Sequence, residues 1–221
     1  MEETVPIISI NQVTHNVRQY RVQKPDGYEF IPGQATELSI NKPEWVNEKR
    51  PFSFTSLNAD RYLEFTIKSY TDHDGVTNEL FHLKEGDELI IRDVWGAISY
   101  KGEGYFIAGG AGITPFIAIL RMLNKDRSIG DNRLLFSNRT EKDIILKDEL
   151  TAILGNKAIF NVTSDQASNY DHSFMNEDYL RKHISDFSKN FYVCGPDKMI
   201  TDINNILIKL GANPQAVVFE K

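Results

Sequence analysis

The periodicity of this chain changes once, near residue 103, and that change divides the folding problem in two. Before it, short runs alternate β-branched or aromatic residues with polar ones: "VRQYRVQK" (17–24), "ATELSI" (35–40), "RPFSFTS" (50–56), "YLEFTIKSY" (62–70) and "DELIIRD" (87–93). Turn signals separate them, among them "KPDG", "IPGQ", "NKPEW" and "LNAD". The first strand signal begins at residue 17, and one short helix fits 76–83, after Gly75. Strands at this spacing, without helices between them, predict an antiparallel sandwich or small barrel.

After residue 103, continuous apolar strands alternate with helices. "GYFIAGG" (104–110), "RLLFSNR" (133–139), "AIFNVTSD" (158–165), "NFYVCG" (190–195) and "AVVFE" (216–220) read as buried strands. The helices are predicted over 115–124, 142–154, 176–184 and 196–211. In the last, Met199, Ile200, Ile203, Ile206, Leu207 and Leu210 form one stripe, with Pro196 at the first turn and Gly211 past the end. The expected fold is an N-terminal antiparallel β-barrel over 1–100 and a C-terminal α/β domain with a parallel sheet over 101–221.

The 221 residues suffice for two lobes, each with a core of its own. The net charge of −6 comes without a basic stripe, which argues against a nucleic-acid partner. One cysteine, Cys194, leaves no disulfide framework and no cysteine-ligated iron–sulfur cluster within this chain. No apolar run reaches the ~18 residues of a membrane span and no signal peptide heads the chain, so a cytoplasmic, soluble protein is expected. The five histidines lack metal-ligand spacing, and neither a metal site nor a hydrolase triad is assigned.

Several stretches could carry chemistry. "AGGAGITPF" (108–116) puts Gly110 and Gly112 between a buried strand and a helix opened by Pro115. Such a turn lets a backbone approach a phosphate, although a tight turn that binds nothing has the same look. "FYVCGPDKM" (191–199) places Cys194, Gly195 and Pro196 at the carboxyl end of a strand, the edge where open α/β sheets bind ligands. A lone cysteine is more often a small buried hydrophobe. "HDGVTNEL" (73–80) offers Thr77 as a helix cap and Gly75 as a place for an anion; a plain cap is the simpler account. In "SNRT" (137–140), Arg139 ends a strand and could be merely solvated.

Taken in order, these motifs resemble the ferredoxin–NADP reductase superfamily nearly end to end. "FIPGQATEL" resembles its proline–glycine–glutamine turn, "RPFSFTS" its flavin motif and "GVT" its pyrophosphate motif. "GGAGITPF", "NRTEKDIILKDEL" and "YVCGPDKM" resemble its pyridine-nucleotide motifs, and "VVFE" its last strand. The resemblance implies an FAD-binding barrel and an NAD(P)-binding α/β domain. It implies that Arg50 pairs with a flavin phosphate, Phe52 lies along the ring and ribityl region, and Ser53 bonds near flavin N5. Thr77 would hold the pyrophosphate and Tyr70 would stack on adenine. Pro51, Ile67, Lys68, Gly75 and Val76 complete the flavin set. Gly110, Gly112, Thr114, Pro115, Asn138, Arg139, Gly195 and Pro196 would line the nicotinamide nucleotide's path. Cys194 would stand by the nicotinamide, and Glu220 would be the C-terminal acidic residue near the flavin. Two departures stand out: Phe52 occupies a position where the family often has tyrosine, and the chain ends Glu220–Lys221 rather than in an aromatic residue.

The activity implied is reduction of FAD by NAD(P)H, with electrons passed on to a soluble carrier, ferredoxin or flavodoxin. Asp165, after Ser164, would repel a 2′-phosphate and favours NADH over NADPH, whereas Arg139 could serve the phosphate. Three alternatives stay open: a flavin reductase, an electron-transfer subunit of a larger complex, and a non-enzymatic nucleotide-binding module. Oligomeric state is not readable from the sequence.

Overall fold

The computed structural model describes all residues except 1, 71, 73, 166–167, 214–216 and 220–221. Contacts divide the chain into two units: Met1–Ser99 with Thr114–Ile119, and Tyr100–Ile113 with Leu120–Lys221.

The first unit is an antiparallel sheet of six strands: β1 (Glu2–Thr14), β2 (Val17–Gln23), β3 (Ala35–Ile40), β4 (Arg50–Ser53), β5 (Tyr62–Lys68) and β6 (Glu88–Trp95). Their order is β4-β3-β6-β1-β2-β5. The sheet is barrel-like, because its two edges meet at a single bridge between Phe54 and Phe65. The interior is the apolar half of each alternating run. Tyr20, Val22, Leu38, Phe54, Leu63 and Phe65 are buried there, and Phe54 stacks on Phe30 with ring centroids 4.2 Å apart. Helix α1 (Val76–His82) packs Val76 and Leu80 into this core. The Tyr20 hydroxyl donates to the Leu80 carbonyl at 2.8 Å and Arg18 donates to the Phe81 carbonyl at 2.6 Å, so β2 fixes the helix from its far end.

Strand β1 departs from the expectation, which placed no element before residue 17. Pro6 hides it, since proline removes a ladder donor and argues against a central strand. The register shows why proline is tolerated. Glu2–Pro6 pairs with β6, and from Ile7 onward the strand pairs with β2. Pro6 therefore sits where the strand changes partners, next to Ile7, whose own N–H bonds the Asp87 carbonyl at 2.8 Å.

The second unit is a parallel sheet of β7 (Gly104–Gly109), β8 (Arg133–Asn138), β9 (Ala158–Val162), β10 (Asn190–Cys194) and β11 (Val217–Phe219). With order β11-β10-β7-β8-β9, the winding reverses between β7 and β10. The connecting helices are α2 (Thr114–Lys125), whose residues Thr114–Ile119 count with the first unit, α3 (Lys147–Leu154), α4 (Glu177–His183) and α5 (Asp197–Lys209). Every residue of β7 is buried, as its unbroken apolar run requires. On one face of the sheet Tyr105, Ile107, Leu135 and Val193 pack with Leu180 of α4 and Ile200, Ile203 and Leu207 of α5.

The helix expected over 142–154 is two pieces. A capping box between Thr140 and Asp143 closes a short 3-10 turn at Glu141–Asp143. The chain then passes through Leu146 at φ +51°, and the α-helix starts at Lys147. A left-handed leucine interrupts helical hydrogen bonding in a way that apolar spacing does not register.

Candidate functional site

In the first unit, β4 carries Arg50, Pro51, Phe52 and Ser53 opposite Leu38, Glu37, Thr36 and Ala35 of β3. Phe52 is half-buried against the core, whereas Phe54, the next residue on its face, lies wholly inside. The Arg50 side chain is 51% exposed and meets Glu48 at 3.3 Å and the Lys49 carbonyl at 2.7 Å. A guanidinium placed this way stays hydrated and able to pair with a phosphate, at the cost of only a weak surface ion pair.

Beyond β4 lies the end of β5. The Ile67 side chain belongs to the core, so only its backbone can face a ligand. Lys68 points its ammonium over the exposed ring of Tyr70, 6.0 Å from the centroid. At the start of α1 the expected capping role of Thr77 is corrected. Gly75 is the N-cap in extended conformation, its carbonyl accepts from Asn78 and Glu79, and no side chain caps the helix. Thr77 is one residue inside the first turn, where backbone N–H groups have no intrahelical acceptor. Val76 is buried and can offer only its backbone.

In the second unit the residues singled out from the sequence collect at the carboxyl ends of the strands. β7 runs into a 3-10 turn, Gly110–Ile113, and α2 follows with Thr114 first and Pro115 in its first turn. Ile113 is the N-cap and makes no side-chain cap bond. Gly110 has φ +54°, a conformation that costs other residues energy. Gly112 is needed for a different reason: a Cβ there would overlap the carbonyl of Cys194 and come within 2.6 Å of the Gly195 nitrogen. The glycine turn after β7 thus lies directly against the end of β10, at the winding reversal where open α/β sheets bind nucleotides. Half-buried Cys194, level with Ala108 of β7, is the last residue of β10, and Pro196 is the N-cap of α5.

At the ends of β8 and β9 the ladder runs on: Thr163 donates to the Asn138 carbonyl at 2.9 Å and Ser164 to the Arg139 carbonyl at 2.8 Å. Arg139 and Ser164 are exposed and Asp165 is half-buried. Asn138 is 5% exposed, yet neither its amide oxygen nor its amide nitrogen has a hydrogen-bond partner. A buried primary amide with both ends unmet is costly, and water or a ligand can satisfy it. An uncapped helix start, a glycine turn closed against a strand end and an unmet amide at one sheet edge fit a dinucleotide. Glu220 lies outside the described residues.

Gln19, Thr55, Glu64 and Thr66 form a buried polar cluster on the barrel that no sequence motif marks. The available signal was period two in "YLEFTIKSY", which puts Glu64 and Thr66 on the polar face; their burial was not readable from it.

Residues 106–205 match the oxidoreductase NAD-binding domain family. A probable dihydroorotate dehydrogenase B (NAD(+)) electron transfer subunit from Pyrococcus furiosus is 33% identical, over 89% of this chain and 71% of that protein. NADH-cytochrome b5 reductase 2 of Rattus norvegicus is 27% identical, over 90% of this chain and 86% of its own length. Among solved structures, a ferredoxin NADP+ reductase from Neisseria gonorrhoeae with bound FAD and NADP superposes with a TM-score of 0.82 at 19% identity, covering 99% of this chain and 98% of that one. With the two-unit fold and the nucleotide-type sheet edge, these likenesses establish that the chain belongs to the ferredoxin–NADP reductase superfamily of FAD- and NAD(P)-binding oxidoreductases.

Proposed function

We propose that this protein is an FAD-dependent NADH oxidoreductase that passes electrons to a one-electron protein carrier, ferredoxin or flavodoxin. The observation that carries the reading is the closure of the Gly110–Ile113 turn against Cys194 and Gly195 at the winding reversal of the parallel sheet. Barrel residues 1–100 take the FAD role and residues 101–221 the NAD(P)H role.

Bound FAD and NAD(P)H supply the hydride and electron chemistry; the chain supplies binding, alignment and exclusion of water. Arg50 neutralises a phosphate, joined by the free N–H groups at the start of α1 around Gly75 and Thr77. Phe52 gives an apolar surface for the ring system, and the Ser53 hydroxyl offers a hydrogen bond at its edge. Pro51, with Ile67 and Lys68, shapes the strand surface, and Tyr70 stacks against the adenine. On the nucleotide side, Gly110 and Gly112 let the backbone come close. Thr114 and Pro115 set the helix start, and the Asn138 amide receives a polar group of the nucleotide. Cys194, Gly195 and Pro196 border the reacting ring, with Glu220 as the acidic residue of the C-terminus. Asp165 beside the end of β9 disfavours a 2′-phosphate, which is why NADH is preferred, with Arg139 as the opposing influence.

An absorbance spectrum of the purified protein, followed by anaerobic titration with NADH and NADPH, tests this. A flavin band near 450 nm, a general flavin property, that bleaches with NADH at lower concentration than with NADPH is expected. A protein that binds no flavin and shows no diaphorase activity overturns the reading in favour of a nucleotide-binding module.

A second reading is favoured by the Pyrococcus furiosus relative, whose name is that of an electron transfer subunit. In that case the acceptor is a partner subunit, and affinity purification under native conditions recovers it. No helix among the described residues is long and apolar enough to cross a membrane.

A further inference from the structure

Leu63, Phe65 and Ile67 of β5 face the barrel core, so Glu64, Thr66 and Lys68 lie on its outer face. An outer face normally meets water, yet Glu64 and Thr55 are 0% exposed, and Gln19 and Thr66 are buried with them. A carboxylate enclosed in this way must be saturated with donors to persist. Glu64 Oε1 accepts from Gln19 Nε2 at 3.1 Å and from Thr55 Oγ1 at 3.0 Å. Its Oε2 accepts from Arg21 Nε at 3.0 Å. The Thr55 hydroxyl also lies 3.1 Å from that of Thr66, and the Thr55 N–H donates to the Glu64 carbonyl at 2.7 Å. The Glu64 N–H in turn donates to Ser56 Oγ at 2.9 Å. The segment just after Ser53 is therefore tied to one residue by both backbone and side chain.

We propose that Glu64 is a positioning residue for the flavin, holding the Ser53–Thr55 segment through Thr55 and placing a buried negative charge that makes the bound FAD harder to reduce. The proposal rests on the FAD reading of Arg50–Ser53. Ser53 ends β4 opposite Ala35 of β3, and Thr55, two residues on and within about 7 Å, bonds back to Glu64 of β5. Glu64 stands on β5, the strand that Thr55 bonds, and Arg21 stands opposite it on β2, one strand further away, so the carboxylate lies on the Ser53–Thr55 side of the ion pair. The Arg21 side chain is 38% exposed, against 1% for Glu64. Water screens the cation more than the anion, and the pair leaves a net negative field on the Ser53 side.

The test measures the reduction equilibrium of bound FAD. Each FAD-loaded protein is titrated anaerobically with dithionite in the presence of a two-electron reference dye. In Glu64→Gln the FAD–dye equilibrium moves about threefold or more towards reduced FAD, because the anion is gone while the side-chain shape remains. In Arg21→Met, which keeps an apolar stem against the Tyr62 ring 4.6 Å from the guanidinium, it moves the other way, because a cation is lost while the Gln19 and Thr55 donors to the carboxylate remain. A purely structural role would shift both variants in the same direction. Shifts of one sign, or shifts below twofold in both variants with FAD retained, overturn the proposal. If Glu64→Gln cannot hold FAD, the sign of the Arg21→Met shift decides alone. A wild-type protein that takes up no FAD overturns the flavin reading itself and is told apart by the missing flavin spectrum.

Discussion

Gly112 lies so close beneath the carbonyl of Cys194 that no side chain fits between them. Two loops that the sequence separates by more than 80 residues are thereby held as one surface. Substitution at Gly112 should act through packing. Gly112→Ala is expected to lower stability by about 1–3 kcal/mol, the usual range for overpacking, and to raise the KM for NADH. Gly110→Ala meets open space and should cost only the left-handed backbone term, about 1–2 kcal/mol, with the KM for NADH unchanged by packing. Thermal melts of the two variants check the order; equal losses would contradict the distinction.

Arg50 can be removed without disturbing the barrel, since its side chain is half exposed and its protein partners are Glu48 and a neighbouring carbonyl. Arg50→Ala should leave the melting temperature of the FAD-free protein unchanged. It should weaken FAD binding about 10- to 100-fold, the value of a lost charge-assisted bond. Fluorescence titration with FAD measures it, and wild-type affinity would remove Arg50 from the site.

Asn138 makes an opposite-signed prediction. Its buried amide is unmet in the protein alone, so Asn138→Ala should not destabilise the nucleotide-free chain. The KM for NADH should nevertheless rise about tenfold, one hydrogen bond's worth or a little more. A melt combined with steady-state kinetics separates these effects, and a large loss of stability with unchanged KM would make Asn138 structural.

Tyr20 contributes to the alkaline limit, together with Tyr28, Tyr179 and Tyr192, whose hydroxyls burial also pushes up. Burial pushes the Tyr20 hydroxyl up to about 12, from the ordinary 10.0. A group whose folded pKa is raised contributes stability that is complete below the unfolded value and is lost as pH rises through the folded one. Stability should therefore fall between pH 10 and 12, where the hydroxyl bonding the Leu80 carbonyl ionises. Tyr20→Phe should make that part of the profile less steep while lowering stability at neutral pH by about 1 kcal/mol. Denaturant titrations across this range provide the check; a profile unchanged by the substitution would assign the alkaline loss elsewhere.

Ser53 and Cys194 should matter for rate rather than fold. Both are half-buried, and serine or cysteine to alanine removes little packing. Ser53→Ala and Cys194→Ala are expected to slow flavin reduction by NADH about 10-fold or more, as loss of an aligning contact does, with FAD still bound. Stopped-flow absorbance measures the step, and unchanged rates would exclude both from the reacting region.

Much of this protein was legible in its sequence because it is written in short-range patterns. Period two in "RPFSFTS" and "YLEFTIKSY" specified the barrel's dry face, with Phe54, Phe65 and Ile67 inside. The unbroken apolar run of β7 and the stripe Ile200–Ile203–Leu207 specified a covered parallel sheet. Gly110, Gly112 and Pro115 marked a glycine turn beside a helix start, and the structure added that Gly110 is left-handed. What the sequence could not show is what depends on partners distant along the chain. Pro6 is tolerated because β1 changes neighbours there. Gly112 is required by a carbonyl more than 80 residues away. Glu64, which alternation alone would leave in water, is enclosed because Thr55, Gln19 and Arg21 arrive from other strands to meet its charge. Patterns decide which face of an element is dry; only the assembled strands decide which polar groups are desolvated together.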